Sequence, residues 1–371
     1  MRIVLWQNVF SPHQLPYITR LMDDERVDEV VLSVERVMTA QRRQMGWETP
    51  LYEGEEKCKV YIAPRETVVS HLLQERTEDS WHLFSGIRGN KFVYDVFKKS
   101  LAFNLRRGIV TECPNTYAFG LANGKPLWLH WLRYRIQDYV NIRYVAKVFA
   151  IGSRASSFFR SVRSKWTVHP FCYCTTNSDD GNVYFTEKTP KIMFVGSLSR
   201  RKNVEILIRS FANHNGKMTL DIVGGGSECK KLEKLKANYK LDSVCFIGSR
   251  KNSEVQELML RHDVLVLPSV YDGWGAVVNE ALMRGLFVIV SDKCGASDLV
   301  DSGRERGIVF RGGDVDALTK ALGYVVTNIN AIRDSRANRA LWAEKHIGGT
   351  VVAKYMVDCL AGLDVMPPYL S

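Results

Sequence analysis

The stretch Asp272-Gly-Trp-Gly-Ala-Val-Val-Asn-Glu280 places two acids eight residues apart across a glycine-containing turn. An apolar run, 263–268, precedes this stretch and another, 287–292, follows it. Both runs are typical of short buried parallel strands. The pattern predicts Asp272 in a strand-to-helix loop and Glu280 about two turns down the following helix, on a similar face. In a parallel α/β sheet such a loop lies at the carboxyl edge, where ligands bind.

This arrangement is typical of a site for a nucleotide sugar. The amides at a helix N-terminus favour an anion such as a diphosphate, and a carboxylate beside them can hold sugar hydroxyls. The alternative is that Asp272 only caps the helix and that Glu280 is a solvated helix residue. Glu280 has apolar neighbours in Val277-Val-Asn-Glu-Ala-Leu282, however, and an acid in such surroundings needs a partner.

Length and composition favour a large α/β protein of two domains. The chain has 371 residues, 46% of them hydrophobic, which is enough to bury a sizeable core. It has no run of 18 or more apolar residues and no signal-peptide pattern at 1–6, so we expect neither a membrane span nor secretion. The eight cysteines are scattered. We therefore expect buried thiols in a reducing cytoplasm, with no disulfide framework and no zinc site.

The excess positive charge is confined to one part of the chain. The net charge is +11, and residues 91–165, with 14 Lys/Arg and three acids, account for all of it. The same stretch contains Trp128-Leu-His-Trp-Leu-Arg-Tyr-Arg135, followed by Tyr139 and Tyr144. Cations interleaved with aromatic residues favour an anionic membrane surface. Nucleic acid would also fit such a pattern, and an ordinary helix with a charged outer face is the structural alternative.

Strand-like and helix-like segments alternate on both sides of one polar break, 175–182, which we interpret as the linker. This alternation predicts two doubly wound, Rossmann-like domains facing across a cleft. We expect an acceptor-binding domain over 1–174, a nucleotide-sugar-binding domain over 183–349, and a C-terminal helical segment, 350–371, that packs back on the first domain. The predicted strands are 2–7, 28–34, 58–62, 81–85, 108–112, 146–151, 191–196, 218–223, 244–248, 263–267, 287–291 and 307–310.

Three further loops of the second half suit an anionic nucleotide. Ser197-Leu-Ser-Arg-Arg-Lys-Asn203 places three consecutive cations between a strand end and a helix start, where they can neutralise a diphosphate. Gly224-Gly-Gly226 permits close approach of the backbone to a ligand. Gly248-Ser249 follows another strand and is predicted to flank a base. Each loop also has a purely structural interpretation. The first could be a solvated loop, the second a tight turn and the third a helix cap.

The order of these motifs resembles that of the retaining glycosyltransferases of group 1, family 4, which have the GT-B fold. The residues that carry the resemblance are Val195-Gly196, Lys202, Gly224, Gly226, Phe246, Gly248, Pro268-Ser269, Asp272-Gly-Trp-Gly275, Glu280-Ala281, Ser291-Asp292 and Gly295. It is specific over about 190–310 and covers the first half only in architecture. It implies transfer of a sugar from a nucleotide-diphosphate donor with retention of the anomeric configuration.

The resemblance implies a role for each matching residue. Glu280 would hold the ribose hydroxyls. Asp272, with the backbone of Gly273, Trp274 and Gly275, would hold the donor sugar near the diphosphate. Lys202 matches the family's lysine, whereas Ser197 stands where an arginine is common.

Either Arg200 or Arg201 is expected to compensate for that missing arginine, and the sequence leaves open which of the two does so. The first acid is Asp where Glu is commoner, so its reach is shorter by one methylene.

In the first domain, His13 lies in the first strand-to-helix loop and is a candidate contact to acceptor or donor, or simply a polar loop residue. Glu112 stands where many relatives have a histidine that touches the donor sugar. We expect no cofactor and no metal, and a UDP-sugar is favoured as the donor. Asp314-Val-Asp316 matches an Asp-x-Asp metal pattern, but its position before an amphipathic run predicts a helix start.

The expected function is that of a metal-independent retaining hexosyltransferase acting on a glycan or lipid-linked acceptor in bacterial surface polysaccharide or lipopolysaccharide assembly. The expected place is the cytoplasm, at the inner face of the membrane, with 91–165 on the anionic surface and no nucleic-acid partner. The alternatives are a phosphorylase or nucleotide-sugar epimerase of the same fold, a non-catalytic nucleotide-sugar-binding protein, and a nucleic-acid-binding module that uses 91–165.

Overall fold

The computed structural model describes residues 1–39, 43, 58–87, 89–114, 126–136, 139–163, 165–175, 188–300 and 304–370. These residues form two compact units. The first unit contains Met1–Thr39, the described residues from 58 to 175, and the C-terminal residues from His346; the second contains 188–345. Most of the predicted linker, and the parts of 91–165 at 115–125, 137–138 and 164, lie outside the described residues.

The first unit is built on a parallel sheet in the order β3-β2-β1-β4-β5-β6-β7. Its strands are Arg2–Val9 (β1), Glu29–Arg36 (β2), Cys58–Ile62 (β3), Ser80–Phe84 (β4), Arg106–Glu112 (β5), Lys147–Ile151 (β6) and Thr167–Phe171 (β7). Its first helices are Leu15–Ile18 (α1), Glu66–Gln74 (α2), Lys91–Ser100 (α3), Leu127–Ile136 (α4), Tyr139–Ile142 (α5) and Ser153–Val162 (α6).

The second unit repeats this plan with the order β10-β9-β8-β11-β12-β13, again all parallel. Its strands are Lys191–Val195 (β8), Thr219–Val223 (β9), Val244–Gly248 (β10), Val264–Leu267 (β11), Phe287–Ser291 (β12) and Gly307–Phe310 (β13). Its helices are Val204–Ala212 (α7), Cys229–Asn238 (α8), Asn252–Leu260 (α9), Val277–Met283 (α10), Val315–Asp334 (α11) and Arg336–Ile347 (α12), the last of which runs past the boundary between the units.

A final helix, Gly349–Leu360 (α13), belongs to the first unit and packs on α1. The contact is close, since a Cβ added at Gly349 would lie 2.4 Å from the carbonyl oxygen of Pro16. Asp358 accepts a hydrogen bond of 2.6 Å from Arg26, which fixes the helix to the loop before β2. Short 3-10 turns occur at Leu21–Asp23, Gly295–Leu299 and Pro368–Leu370.

The strands form where the sequence has short apolar runs, because a parallel sheet with helices on both faces buries its strands on both sides. Strands β11 and β12 are buried along their whole length. The predicted strands match the structure in position; β7 was not predicted. Asp314 accepts a hydrogen bond of 2.9 Å from the backbone of Ala317 and caps α11, which confirms the interpretation of Asp314-Val-Asp316 as a helix start. No helix among the described residues is long and apolar enough to cross a bilayer.

Candidate functional site

The site lies where the strand order of the second sheet reverses. Strands β8 and β11 are neighbours in this sheet, and successive strands are added outward from β8 on one side and from β11 on the other. The chain therefore leaves these two strands in opposite directions, which opens a crevice between the loops that follow them. In open α/β sheets ligands bind in the crevice at this point, outside the carboxyl ends of the strands. The loop after β8 is 196–203, and the loop after β11 is 268–276. They are joined directly, because the Val270 amide donates a hydrogen bond of 2.9 Å to the carbonyl of Arg201.

The two loops bring three charged side chains together. The ammonium of Lys202 donates a hydrogen bond of 2.6 Å to Oδ2 of Asp272, and Nη1 of Arg201 lies 3.3 Å from the same oxygen. Arg201 also donates a hydrogen bond of 3.0 Å to the carbonyl of Tyr271. Lys202 is buried and the side chain of Asp272 is only 13% exposed. Two cations around one carboxylate leave a net positive charge in a poorly solvated place, which suits an anionic ligand.

The protonation of Asp272 follows from these neighbours. Burial alone would raise the pKa of this carboxyl, but the charges of Lys202 and Arg201 outweigh burial and hold its pKa below the ordinary value. Asp272 is therefore ionised at neutral pH. An arriving diphosphate would compete with this carboxylate for the two cations.

The structure distinguishes the two arginines between which the sequence could not decide. Arg201 lies in the pair with Asp272, whereas Arg200 is 80% exposed and approaches Glu228 at 3.6 Å. The cationic group of the site is therefore Arg201 with Lys202.

The predicted glycines form the backbone floor beside these charges. A Cβ added at Gly196 would lie 3.7 Å from Nζ of Lys202, and one added at Gly224 would lie 1.9 Å from the carbonyl oxygen of Gly196. Both residues have a positive φ, of 152° and 135° respectively, which disfavours any side chain. The Gly224 amide donates a hydrogen bond of 2.9 Å to the carbonyl of Gly248. The loops after β8, β9 and β10 are therefore stacked against one another at one edge.

The other glycine-loop residues extend the same floor. The carbonyl of Gly225 accepts a hydrogen bond of 2.8 Å from Leu198, and a Cβ added at Gly226 would lie 2.4 Å from the Leu198 carbonyl oxygen. A Cβ added at Gly225 would lie 3.0 Å from the hydroxyl of Ser249, which follows β10. Three consecutive glycines thus allow the loop after β9 to pass directly over the loop after β8.

The loop that contains Asp272 is held by the strand end next to it. The Asp272 amide donates to the carbonyl of Lys293 at 3.1 Å, and the amides of Gly295 and Ala296 donate to the carbonyls of Asp272 and Trp274 at 3.2 and 2.8 Å. A Cβ added at Gly295 would lie 2.3 Å from the carbonyl oxygen of Gly273. Residues 293–296 were not predicted as site residues, although their place after β12, beside β11, is the signal that could have identified them.

Trp274 and Gly275 complete this loop. The indole of Trp274 is buried and donates a hydrogen bond of 2.7 Å to Oδ1 of Asn279, which ties the loop to α10. Gly275 has a φ of 97°, and a Cβ there would lie 2.8 Å from the side chain of Leu267 and 3.9 Å from Oδ2 of Asp272. The side chain of Trp274 therefore anchors the loop, and only its backbone is offered to a ligand.

Glu280 occupies a different place on its helix from the predicted one. The helix begins at Val277, later than expected, so Glu280 lies in its first turn and not two turns along it. The residue is buried, and burial raises the pKa of its carboxyl to about 7 against the opposing effect of the charge of Arg284. A carboxyl group whose pKa is close to neutral pH can accept a hydrogen bond from a sugar hydroxyl when it is ionised and can donate one when it is protonated.

The two residues predicted in the first unit lie at the carboxyl edge of its sheet. His13 is in the turn after β1, with its ring centre 6.3 Å from that of Tyr173 and its carbonyl accepting a hydrogen bond of 3.1 Å from Cys174. Glu112 is the last residue of β5. Strand β4 separates β1 from β5, and the contacts of His13 with Tyr173 and Cys174 also join its loop to the residues after β7.

Two Rossmann-like sheets, with paired charges and stacked glycines at the switch point of the second, define a doubly wound α/β class of protein. Residues 178–340 match the family model described as "Glycosyl transferases group 1". Over these residues the chain is similar to the group 1 glycosyl transferases.

A curated relative is an uncharacterised glycosyltransferase of Methanocaldococcus jannaschii, which is 35% identical over 116 residues. The match covers 29% of this chain and 29% of the relative, so the chain spans well under half of that relative's length.

Solved structures of GT-B glycosyltransferases match the whole chain in fold. Anabaena HepE in complex with UDP has a TM-score of 0.71 at 16% identity, with 98% of this chain and 100% of that chain covered. The lipopolysaccharide outer core galactosyltransferase WaaB has a TM-score of 0.67 at 15% identity, with 98% and 99% covered. The predicted fold, GT-B with two Rossmann-like domains, is confirmed.

Proposed function

We propose that this protein transfers a sugar from a nucleotide-diphosphate sugar to a glycan or lipid-linked acceptor, with retention of the anomeric configuration and without a metal ion. The observation that carries the proposal is the meeting of Lys202, Arg201 and Asp272 at the switch point of the second sheet. The family of residues 178–340 and the UDP bound to HepE, a protein of the same fold, support a nucleotide-sugar donor. UDP is our first choice of nucleotide for that reason.

Each part of the site has a role in this proposal. Lys202 and Arg201 bind the diphosphate, and the backbone at Gly196 and Gly224 admits it closely. Asp272 accepts hydrogen bonds from the donor sugar, and Glu280 from the ribose.

Binding the donor through several of these groups fixes its anomeric carbon for attack, which removes much of the entropic barrier. His13 and Glu112, on the first unit, are the candidate contacts to the acceptor.

The reaction would proceed on one face of the donor sugar. The acceptor hydroxyl forms a bond to the anomeric carbon while the bond from that carbon to the diphosphate oxygen breaks, and the electron pair leaves with the diphosphate. The hydroxyl proton passes to the departing phosphate oxygen. Lys202 and Arg201 stabilise the negative charge that develops there, which is the role that a metal ion has in many phosphate sites.

A donor screen tests this function. The purified protein is heated with UDP, GDP and their sugars, and we expect one nucleotide sugar to raise the melting temperature by mass action. With that donor and an acceptor glycolipid, sugar transfer should persist in EDTA, and NMR of the product should show the anomeric configuration of the donor. Inversion, loss of activity in EDTA, or epimerised sugar formed without acceptor would each contradict the corresponding part of the proposal. Donor binding without transfer or hydrolysis would indicate a binding protein.

We also propose that α4 and its surroundings lie on the anionic inner face of a bacterial membrane, where the acceptor of polysaccharide or lipopolysaccharide assembly would be found. No residue of α4 is buried, and its exposed apolar side chains Trp128, Leu132 and Ile136 recur every four residues along one face. Tyr139, the first residue of α5, is also exposed. Residues 126–163 hold seven Lys/Arg and one acid. An apolar stripe flanked by cations is the pattern of an in-plane membrane helix.

Vesicle sedimentation tests the membrane part. Vesicles with 30% phosphatidylglycerol should bind the protein more tightly than pure phosphatidylcholine vesicles, and salt should weaken the binding. Leu132→Glu should reduce it about tenfold, because the substitution removes apolar contact and adds repulsion. Leu341→Glu, at an exposed leucine of α12 in the second unit, is the matched control. Equal effects of the two substitutions would show that α4 is not the contact surface.

A further inference from the structure

A groove lies between α4 and α6 on the first unit. Its volume is about 540 Å³. Helix α4 lines it with Leu127, Trp128 and Trp131, and α6 lines it with Arg154, Phe158 and the serines at 153, 157 and 161. The three serines recur every fourth residue, so they form one line along α6, about 12 Å long at 1.5 Å per residue. The α6 side of the groove is therefore about 12 Å long, and aromatic and aliphatic groups line the α4 side.

The packing of the two helices turns apolar surfaces toward the groove. The Trp131 indole N–H donates a hydrogen bond of 3.0 Å to the carbonyl of Ser161, and the Arg135 guanidinium lies 5.1 Å from the centre of the Trp131 ring. Tyr134 packs edge-on against Phe158 at 5.8 Å. Since the polar edge of Trp131 bonds to the protein, a ligand in the groove meets mainly hydrocarbon and ring surface. A ligand with an apolar chain fits this lining better than a fully hydroxylated one.

One end of the groove carries a cation. Arg154 lies in the first turn of α6, directly after β6 and therefore at the carboxyl edge of the first sheet. Its charge reaches Cys113, just past the end of β5, where it opposes the rise of the thiol pKa to about 11 that burial causes. This end of the groove is thus on the same edge as Glu112. The opposite end, at Ser161, lies two turns down α6.

We propose that this groove binds the hydrocarbon chain of a single anionic lipid, whose phosphate pairs with Arg154. This inference rests on the proposed membrane surface of α4 and deepens it. The exposed stripe of α4 would lie on the bilayer, while the groove would take one lipid molecule out of it. Binding of this kind places the lipid's phosphate at the edge that holds the candidate acceptor contacts. Charge complementarity supports an anionic occupant, because seven cations and one acid lie within 126–163.

A soluble single-chain lipid tests the groove without a bilayer. Decyl phosphate, kept below its critical micelle concentration, is titrated into the full-length protein by calorimetry. We expect saturable binding that Ser157→Trp weakens at least about tenfold, because Ser157 is exposed at the centre of the groove and an indole there would fill it. Thr327→Trp, at an exposed hydroxyl residue on α11 of the second unit, is the matched control and should bind as the wild type does. Arg154→Gln should weaken the binding of decyl phosphate more than it weakens the binding of decyl maltoside, which has no charge.

The outcomes separate the possible ligands. Inorganic phosphate that binds as tightly as decyl phosphate would show a simple anion site and overturn the proposal. Binding of a maltooligosaccharide, blocked by Ser157→Trp while decyl phosphate does not bind, would identify a glycan groove instead. Unchanged decyl phosphate binding in Ser157→Trp would place the lipid elsewhere.

Nucleotide-sugar stabilisation is measured on the same variants and should be unchanged. A failure of the proposed donor site would appear in that measurement, and a failure of sugar transfer in the transfer assay, whereas neither would change the binding of decyl phosphate.

Discussion

The two sheets of this protein share one strand order, yet their carboxyl edges carry different chemistry. In each sheet the order in which successive strands are added reverses at one point, between β1 and β4 in the first sheet and between β8 and β11 in the second. At the second of these points, paired charges and close-packed glycines converge. At the first, the loop after β1 carries His13, which is buried beside Tyr173, and Gly86 after β4 has room around it. The same topology therefore supports crowded, charged loops at this edge of the second unit and, at Gly86, a less crowded loop in the first.

The difference explains where family resemblance is found. The group 1 model matches 178–340 and not the first unit. A pocket for a nucleotide diphosphate must provide the same cations and the same backbone approach for every donor. A surface that meets an acceptor must change with the acceptor, and residues 91–165 of the first unit carry a net charge of +11. If the proposed function is correct, the second unit recognises the nucleotide diphosphate that all donors share, and the first unit recognises the individual acceptor.

The largest expected effect comes from removing the central cation of the second edge. Lys202→Ala should lower sugar transfer by at least about a hundredfold, or roughly 3–4 kcal/mol in the barrier, because the charge on the leaving diphosphate loses its nearest partner. His13→Ala, on the first edge, should mainly raise the KM for the acceptor. Steady-state kinetics with donor and acceptor varied separately provide the measurement. Comparable losses of kcat in the two variants would break the distinction between the edges.

A pair of glycine substitutions compares the packing of the two edges. Gly224→Ala should destabilise the protein by about 3 kcal/mol, because its Cβ would overlap the carbonyl oxygen of Gly196 at 1.9 Å. Gly86→Ala also requires a positive φ, of 73°, which is close to the left-handed region, and its nearest neighbour is 3.6 Å away. It should cost only the backbone strain, about 1 kcal/mol. Differential scanning calorimetry measures both; equal losses would mean that strain, not crowding, sets the cost.

The last prediction concerns the pH dependence of Glu280. Burial raises its pKa in the folded protein above the ordinary value, to about 7. The carboxyl therefore contributes stability that is fully present below about pH 4.5 and is lost as the pH rises through 7, by up to about 3 kcal/mol. Glu280→Gln should remove this loss of stability at rising pH. The melting temperature of the variant, relative to that of the wild type, should therefore increase between pH 5 and 8. Parallel curves for the two proteins would show that Glu280 is ionised throughout.

Much of the fold could be predicted because it depends on short apolar runs separated by turn residues. Strands such as β11 and β12 are buried on both faces, so their sequences are almost purely apolar. Strand β7, Thr-Val-His-Pro-Phe over 167–171, was missed because its polar residues and proline are atypical of a strand interior. It lies at the edge of the sheet, where only one neighbour is required. Edge position relaxes the sequence requirements on which the prediction depends.

The candidate site could be predicted in its residue types but not in its pairings. The spacing of Asp272 and Glu280 drew attention to the loop, yet the helix begins only at Val277, because the loop first pairs with 293–296. The separation of Arg200 from Arg201 depends on a hydrogen bond between backbone groups of two loops. Such long-range contacts leave no periodic trace in the sequence. Structure was needed to choose among neighbours of the same type.

The return of α13 to the first unit gives the chain an unusual order of assembly. This helix follows the whole second unit in the sequence, yet packs on α1 and is tied through Asp358 to Arg26. A ribosome therefore releases every strand of both sheets before it releases the helix that covers α1. The second unit can therefore fold first, whereas the first unit, although it is synthesised earlier, lacks the helix that covers α1 until α13 has left the ribosome.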